Sequence, residues 1–285
     1  MQKQQPFIEY GCMVSTILNE TTSGKVHSVF NNGVNIKFGD YLLFIGNFKN
    51  GSVPFGIHYN PVPFDCTQFQ VNDIVSWNKQ SGQLITKKYV LQLKDISSTR
   101  NVINKIENIQ SASINLIKQI EKLPLNVGLA VHLQNLLMDT PQTPDEIQLL
   151  QLTKLVKSTD REKLLTHLKY FIGRGSGLTP SGDDFLVGLL ACHSLYPTVS
   201  NEFLEELANL VNEKKYTTDI SNEFISYALK QEFSSVIVHL MNGLLMTDSI
   251  IKENVDRLLQ VGHSSGADTL LGIIVGLRTH RQLVT

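Results

Sequence analysis

From Phe7 to about Leu93 the apolar residues come in short runs broken by turn signals. "KVHSVF", "VNIKF", "YLLFIG", "DIVSW" and "KKYVLQL" are rich in β-branched and aromatic side chains, the mix that suits a pleated, half-buried surface. Asn32-Gly33 fits the positive φ of a tight hairpin turn, and Gly39-Asp40 and Ser81-Gly82 mark further reversals. Beyond Ser97 the period changes. In "NVINKIENIQSASINLIKQIEKL", Val102, Ile103, Ile106, Ile109, Ile114, Ile117 and Ile120 recur at helical spacing and form a broad apolar stripe. "DEIQLLQLTKLVK", "TDREKLLTHLKYFIG", "NEFLEELANLVNEK", "SNEFISYALKQ", "FSSVIVHLMNGLLM" and "IIKENVDRLLQVG" read as further helices, several opened by Asp, Asn, Ser or Thr caps. "LMDTPQTPDE", with two prolines, is the clearest internal loop. The pattern predicts an α+β chain: a small β-barrel or sandwich over residues 1–96, then a mainly α-helical domain over residues 97–285.

Two helix starts in the second half repeat one another. "SGDDFLVGLL" from Ser181 and "SGADTLLGII" from Ser265 share Ser-Gly-x-Asp-x-Leu-x-Gly in register, with no solenoid period elsewhere. Ser181 with Asp184, and Ser265 with Asp268, have the spacing of a capping box, which by itself accounts for these residues as helix-start stabilisers contributing about 1 kcal/mol each. Capping does not account for the residues downstream. Asp184, Gly188 and Cys192 lie four apart on one helix face, as do Asp268, Gly272 and Gly276 on the other. Small residues at this spacing permit close backbone approach, so the two helices are expected to cross on these faces with Asp184 and Asp268 converging at their N-terminal ends.

The loop before the first copy, "GRGSGLTP", puts Gly173, Gly175 and Gly177 where backbone N–H groups can turn inward as an anion nest, with Arg174 supplying charge. Asp183 and Asp184 then face a metal ion or an amide NH2 group. No Gly-Lys-Ser/Thr follows, so the loop is not of the Walker type, and it lacks the strand context of a dinucleotide fingerprint. Before the second copy, "VGHSSGAD" places His263, Ser264 and Ser265 at a turn, where His263 either donates to a substrate or caps the preceding helix. Thr217 and Thr218 in "YTTDIS" read as caps first and ligands second. His27 and His58 read as structural histidines on strands. "SSTR", residues 97–100, is like the carbamoyl-phosphate loop of aspartate and ornithine carbamoyltransferases, but Asn101 follows and no parallel α/β sheet surrounds it, so it reads as a chance tetrapeptide at a helix start.

Composition narrows the classes. With 25 Lys plus Arg against 26 Asp plus Glu, nothing marks a nucleic-acid or anionic-membrane partner, and 42% hydrophobic residues suffice for a real core. Cys12, Cys66 and Cys192 stand far apart in neither zinc nor disulfide-framework spacing, which fits a reducing, cytoplasmic setting. "MQKQQPFIEY" has no apolar signal core, and "FLVGLLAC" falls short of the roughly 20 residues of a membrane span.

"GSGLTPSGDDFLVGLL", "TTDIS" and "VGHSSGADTLLGIIVGL", preceded by "GKVHSVF", "VNI" and "VPFGI", resemble the AllH-like family, which includes a subunit of bacterial oxamate carbamoyltransferase. The resemblance runs from about Gly24 to Leu277; Ser176 stands where the family motif has proline. It implies a role in purine (allantoin) catabolism, in which oxalurate and phosphate give oxamate and carbamoyl phosphate, within an assembly that includes AllG-like and FdrA-like subunits; carbamoyl transfer itself needs no covalent nucleophile or redox cofactor, and magnesium stays possible. The implied site divides into three parts. Loop N–H groups with Arg174 meet the phosphate; His263 with the Thr179, Ser181 and Ser265 hydroxyls meet the carbonyl; Asp184 or Asp268 meets the amide. Two other readings stand beside it. A distant likeness of "SGADTLLGIIVGL" to the Asp-x-Asp-Thr helix of ADP-ribosylglycohydrolases implies a magnesium-dependent hydrolase with Asp183, Asp184, Asp268 and Thr269 as ligands. A non-catalytic structural subunit would use the twin motifs as packing devices alone.

Overall fold

The structure is a computed structural model that describes residues 7–47, 51–60, 65–87, 90–93, 98–121 and 123–279. The chain divides into two compact units, Met1–Asn101 and Val102–Thr285, and its class is α+β.

In the first unit, nine strands among the described residues form one curled sheet: β1 (Phe7–Gly11), β2 (Ser23–Phe30), β3 (Gly33–Phe38), β4 (Tyr41–Asn47), β5 (Gly56–Asn60), β6 (Ile74–Asn78), β7 (Gln83–Ile85), β8 (Val90–Gln92) and β9 (Ser98–Thr99). Their order is β8-β7-β6-β2-β3-β4-β5-β1-β9, so the expected barrel or sandwich is half a barrel with two free ends among the described residues. Most pairings are antiparallel, but β4–β5 and β1–β9 run parallel. Central β3 buries one face through Val34, Ile36 and Phe38 and most of the other through Gly33 and Asn35.

Three local features differ from expectation. The β2–β3 hairpin pairs Phe30 with Gly33 and turns at Asn31-Asn32, with positive φ at neither Asn32 nor Gly33. Gly33 is instead a strand residue needed for space, because a Cβ there would lie 2.4 Å from the Phe44 ring. Of the "SSTR" stretch, Ser97 lies outside the described residues, and Ser98–Thr99 is no helix start but pairs in parallel with β1. That pairing carries the first unit on to Asn101, a few residues past the change of period. A short helix, α1 (Val14–Glu20), was not expected; it buries Val14, Ile17 and Leu18.

The second unit is helical: α2 (Ile109–Ile120), α3 (Leu133–Leu137), α4 (Pro144–Leu155), α5 (Arg161–Phe171), α6 (Ser181–Leu195), α7 (Asn201–Asn212), α8 (Asp219–Leu229), α9 (Ser235–Gly243), α10 (Asp248–Leu259) and α11 (Ser265–Arg278). The apolar stripe from Val102 does not open a helix at once. Residues 101–106 are irregular and α2 begins at Ile109, capped by the Asn108 side chain on the Ser111 N–H. α6 and α11 are apolar nearly all round and buried nearly throughout, the signature of helices at the centre of a bundle. α2, α5, α8, α9 and α10 pack against this pair, and α3, α4 and α7 pack on those outer elements; Leu164, Leu168 and Phe171 of α5 are fully buried in the core. No described helix is long and apolar enough to cross a membrane.

Candidate functional site

The two helices that carry the repeated motif pack on each other through their glycines. A Cβ at Gly188 would lie 2.0 Å from the Thr269 carbonyl oxygen, one at Gly272 would lie 2.0 Å from that of Phe185, and one at Gly276 would lie 2.5 Å from the Cys192 Cβ. Real Cβ atoms do not approach so closely, so nothing larger than glycine fits. The pairing advances in the same direction along both helices, from Phe185 with Gly272 to Cys192 with Gly276. α6 and α11 therefore run parallel and side by side, in the register of the repeat, and both N-termini open at the same end of the bundle. The second motif glycines do equivalent work: a Cβ at Gly182 would strike the Phe171 carbonyl and one at Gly266 that of Leu258, each at the end of the preceding helix.

The serines do not form capping boxes. Pro180 and Ser264 are the N-cap residues, neither with a side-chain cap, and Ser181 and Ser265 are the first helical residues. Each serine works across the helix pair instead. Hydrogen bonding from Ser265, with Thr179, favours the charge of Asp184, while hydrogen bonding from Ser264 and Ser181 favours that of Asp268. Thr179 Oγ1 and Ser265 Oγ lie 2.9 Å apart and link the loop before α6 to the start of α11. Asp268 is fully buried, and its Oδ1 accepts the Gly128 N–H at 2.8 Å. One carboxyl oxygen of each acid, Asp184 Oδ2 and Asp268 Oδ2, is buried with no hydrogen-bond partner among the described residues. A buried polar atom left unpaired costs about 1–3 kcal/mol, and here both acids carry one.

All three motif acids hold their protons more tightly than ordinary carboxylates. Asp184 is raised well above the usual range, first by burial and then by the charges of Asp268 and Asp183, which outweigh the Ser265 and Thr179 hydrogen bonds. Burial raises Asp268 against the Gly128 N–H, and raises Asp183 against Thr217 and the Gly173 N–H. Asp183 is structural in its contacts: Oδ1 accepts the Gly173 N–H at 2.8 Å and Oδ2 accepts from Thr217 Oγ1, pinning the glycine loop to the start of α8. Thr218 caps α8 through the Ser221 N–H and donates to the Leu178 carbonyl at 2.6 Å.

Two covers lie over this end of the pair. The loop Gly173 to Pro180 has positive φ at Gly173, Gly175 and Gly177, and its tip, residues 175–178, is exposed. Arg174 extends from it onto Asp145 of α4, with Nη2 at 2.7 Å from Oδ1, and Gly177 has open space around it. The second cover is a strap without helix or strand, residues 124–132, bent at residues 128–130, in which carboxylates hold N–H groups: Gly128 by Asp268, Ala130 by Asp145 and His132 by Glu146. Gly128 presses on both copies of the motif, since a Cβ there would lie 2.1 Å from Ser181 Oγ and 3.0 Å from Ser264 Oγ.

Asp184, Asp268, Ser181, Ser264, Ser265 and Thr179 thus meet at one place, with Gly173, Gly175, Gly177, Asp183, Thr217 and Thr218 building the loop beside it. His263 is exposed in the turn before α11 and makes no hydrogen bond among the described residues, so it neither caps α10 nor joins the acids. His58, in the first unit, is buried, with burial lowering it to about pH 4 and Nε2 accepting the Val53 N–H; it is a structural histidine. Among the described residues no group of three or more His, Cys, Asp or Glu is disposed to hold a metal ion.

Sequence reasoning missed Gly128, Asp145, Glu146 and Tyr170. One signal was there: Thr143-Pro144-Asp145-Glu146 is a capping box with proline at the first helical position, and it forms in full. Its Glu146 is fully buried and takes the N–H groups of His132, Gln142 and Thr143.

Two family models match the chain, and together they cover most of it. The AllH family N-terminal domain matches residues 8–100, and the model described as oxamate carbamoyltransferase subunit AllH matches residues 171–277, which contains both copies of the motif. No solved structure matches the chain significantly.

Proposed function

We propose that this chain, which belongs to the AllH family, contributes the site at its paired helix starts to a multi-subunit carbamoyltransferase that converts oxalurate and phosphate into oxamate and carbamoyl phosphate. The observation that carries this reading is the pair of unpartnered, buried carboxyl oxygens, Asp184 Oδ2 and Asp268 Oδ2, set between two parallel helix N-termini. A primary amide or ureide is planar and offers N–H donors beside a carbonyl acceptor. A carboxylic acid next to a carboxylate offers one donor and one acceptor, which matches it. An acid held neutral also removes the repulsion that a bare carboxylate would exert on a nearby phosphate.

In this reading a phosphate oxygen attacks the carbamoyl carbon, the C–O bond forms, and the bond from that carbon to the oxamate nitrogen breaks with its electron pair going to nitrogen. The nitrogen must gain a proton, and the hydrogenphosphate loses one, so the step balances with no oxidant or reductant. Asp184, which keeps its proton to higher pH than an ordinary carboxylate, is suited to donate to the leaving nitrogen and to recover the proton from phosphate. With the Gly173 N–H on Asp183 and the α6 N–H groups of Gly182, Asp183 and Asp184 on the Arg174 and Pro180 carbonyls, the exposed tip of the glycine loop and the Arg174 guanidinium favour the phosphate, and the Thr179, Ser181, Ser264 and Ser265 hydroxyls orient the carbonyl. AllG-like and FdrA-like subunits complete the assembly. A structure of the assembled complex with oxamate and phosphate tests the placement. The amide nitrogen is expected within hydrogen-bonding distance of Asp184 or Asp268; ligands bound away from both helix starts would overturn it.

A further inference from the structure

A carboxylate outside the helix pair ties together both of its covers. Asp145, in the first turn of α4, is 4% exposed, and its Oδ1 takes Arg174 Nε at 2.8 Å, Arg174 Nη2 at 2.7 Å and the Tyr170 hydroxyl at 2.6 Å. Its Oδ2 takes the Ala130 N–H of the strap at 2.9 Å. The Arg174 guanidinium lies over the Tyr170 ring, with Cζ 4.3 Å from the centroid. One edge of the guanidinium is thereby gripped and one face covered. The side chain is still 40% exposed, and Nη1 has no partner among the described residues.

We propose that Asp145 is a positioning residue: by holding the Nε–Nη2 edge of Arg174 against Tyr170, it presents the Nη1 edge to an oxyanion bound on the Gly173–Gly177 loop. This role rests on the reading of that loop as the phosphate side of the site. An arginine on an exposed glycine loop would otherwise sample many rotamers and lose that freedom when the anion arrives. Here folding has already fixed the plane, so the remaining donors meet the ligand without that loss. Burial works against the charge of Asp145, but Tyr170, the Ala130 N–H and Arg174 outweigh it and hold the carboxyl below the usual range. It therefore stays an anion wherever phosphate is doubly charged. Because the Asp145–Arg174 pair is close to neutral, selection of the anion depends on hydrogen-bond direction more than on net charge.

Calorimetric titration of the full chain with inorganic phosphate tests this. D145N is expected to weaken phosphate about tenfold, the loss of one well-directed charge-assisted hydrogen bond, while oxamate affinity stays within about twofold. In an R174K background, where the two-point grip is already gone, D145N should have almost no further effect on phosphate; a purely structural Asp145 would weaken it equally in both backgrounds. N135A, which loosens the strap through Glu146 without touching Arg174, controls for the loss of the Ala130 tie. Equal phosphate affinity in wild type and D145N, or a loss in N135A as large as in D145N, would overturn the positioning role and leave the anion loop standing. No phosphate binding by the wild-type chain at millimolar concentration would remove the loop reading and this role together.

Discussion

Asp184, Asp183 and Asp268 hold protons to higher pH in the folded chain than in the unfolded one, chiefly because burial penalises their charge. Between the ordinary carboxylate value, just under pH 4, and their raised values, the folded state binds more protons than the unfolded, so stability falls as pH rises through that window. Asp145 and Glu146 have the opposite sign: hydrogen bonds hold them below the usual range, and the stability they contribute is lost as pH drops through their lowered values. The chain should be most stable in the mildly acidic range. D184N, neutral throughout, should flatten the alkaline limb and melt above wild type at about pH 8, though not at about pH 5; a melting series across pH checks this, and an equal loss of melting temperature at both pH values would contradict it. The acids were legible in the sequence because their spacing to glycines is periodic. The roles of their neighbours were not. Ser181 and Ser265 look like caps for their own helices, and only the parallel packing hands each one to the acid of the other. Arg174 reads as a free charge on a glycine loop, and nothing in the sequence names Asp145, 29 residues away, as its partner.

Among the elements, the site depends most on how closely α6 and α11 approach. Alanine at Gly188 or Gly272 puts a methyl group 2.0 Å from a backbone carbonyl that cannot move without shifting a helix. Each should cost about 2–3 kcal/mol, at the upper end of ordinary overpacking, and separate the two acids enough to reduce turnover. Gly177→Ala meets no atom within 4 Å and is penalised only for its φ of +93°, so it should cost about 1 kcal/mol, and chemical denaturation should rank it well below the other two. The crossing was legible because four-residue spacing of Asp and Gly fixes a helix face. Other elements were not. α1 carries only three buried apolar positions in seven residues, too short a run to separate from strand, and the strap has alternate burial but no sheet, since its N–H groups are met by carboxylates from α4 and α11. Glu146→Gln, which keeps the shape but removes the charge that binds His132, Gln142 and Thr143, should lower stability by about 2–4 kcal/mol, measurable in the same denaturation series.

For the whole molecule, the change from period two to helical period falls close to the boundary between the two units: a half-barrel of mixed strands in one, and in the other a helical bundle whose two central helices carry the repeated motif at one end. The family match spans both units, and the family's subunit designation implies a multi-subunit complex. Within that assembly, the acid pair between the helix starts is expected to act on the transferred carbamoyl group. Steady-state turnover of oxalurate and phosphate by the reconstituted complex, wild type against D184N, puts this to the test. Turnover should fall at least about a hundredfold, the range of a lost general acid, with assembly intact and melting temperature not reduced. Turnover within about twofold of wild type in a fully assembled D184N complex would contradict the proposed role.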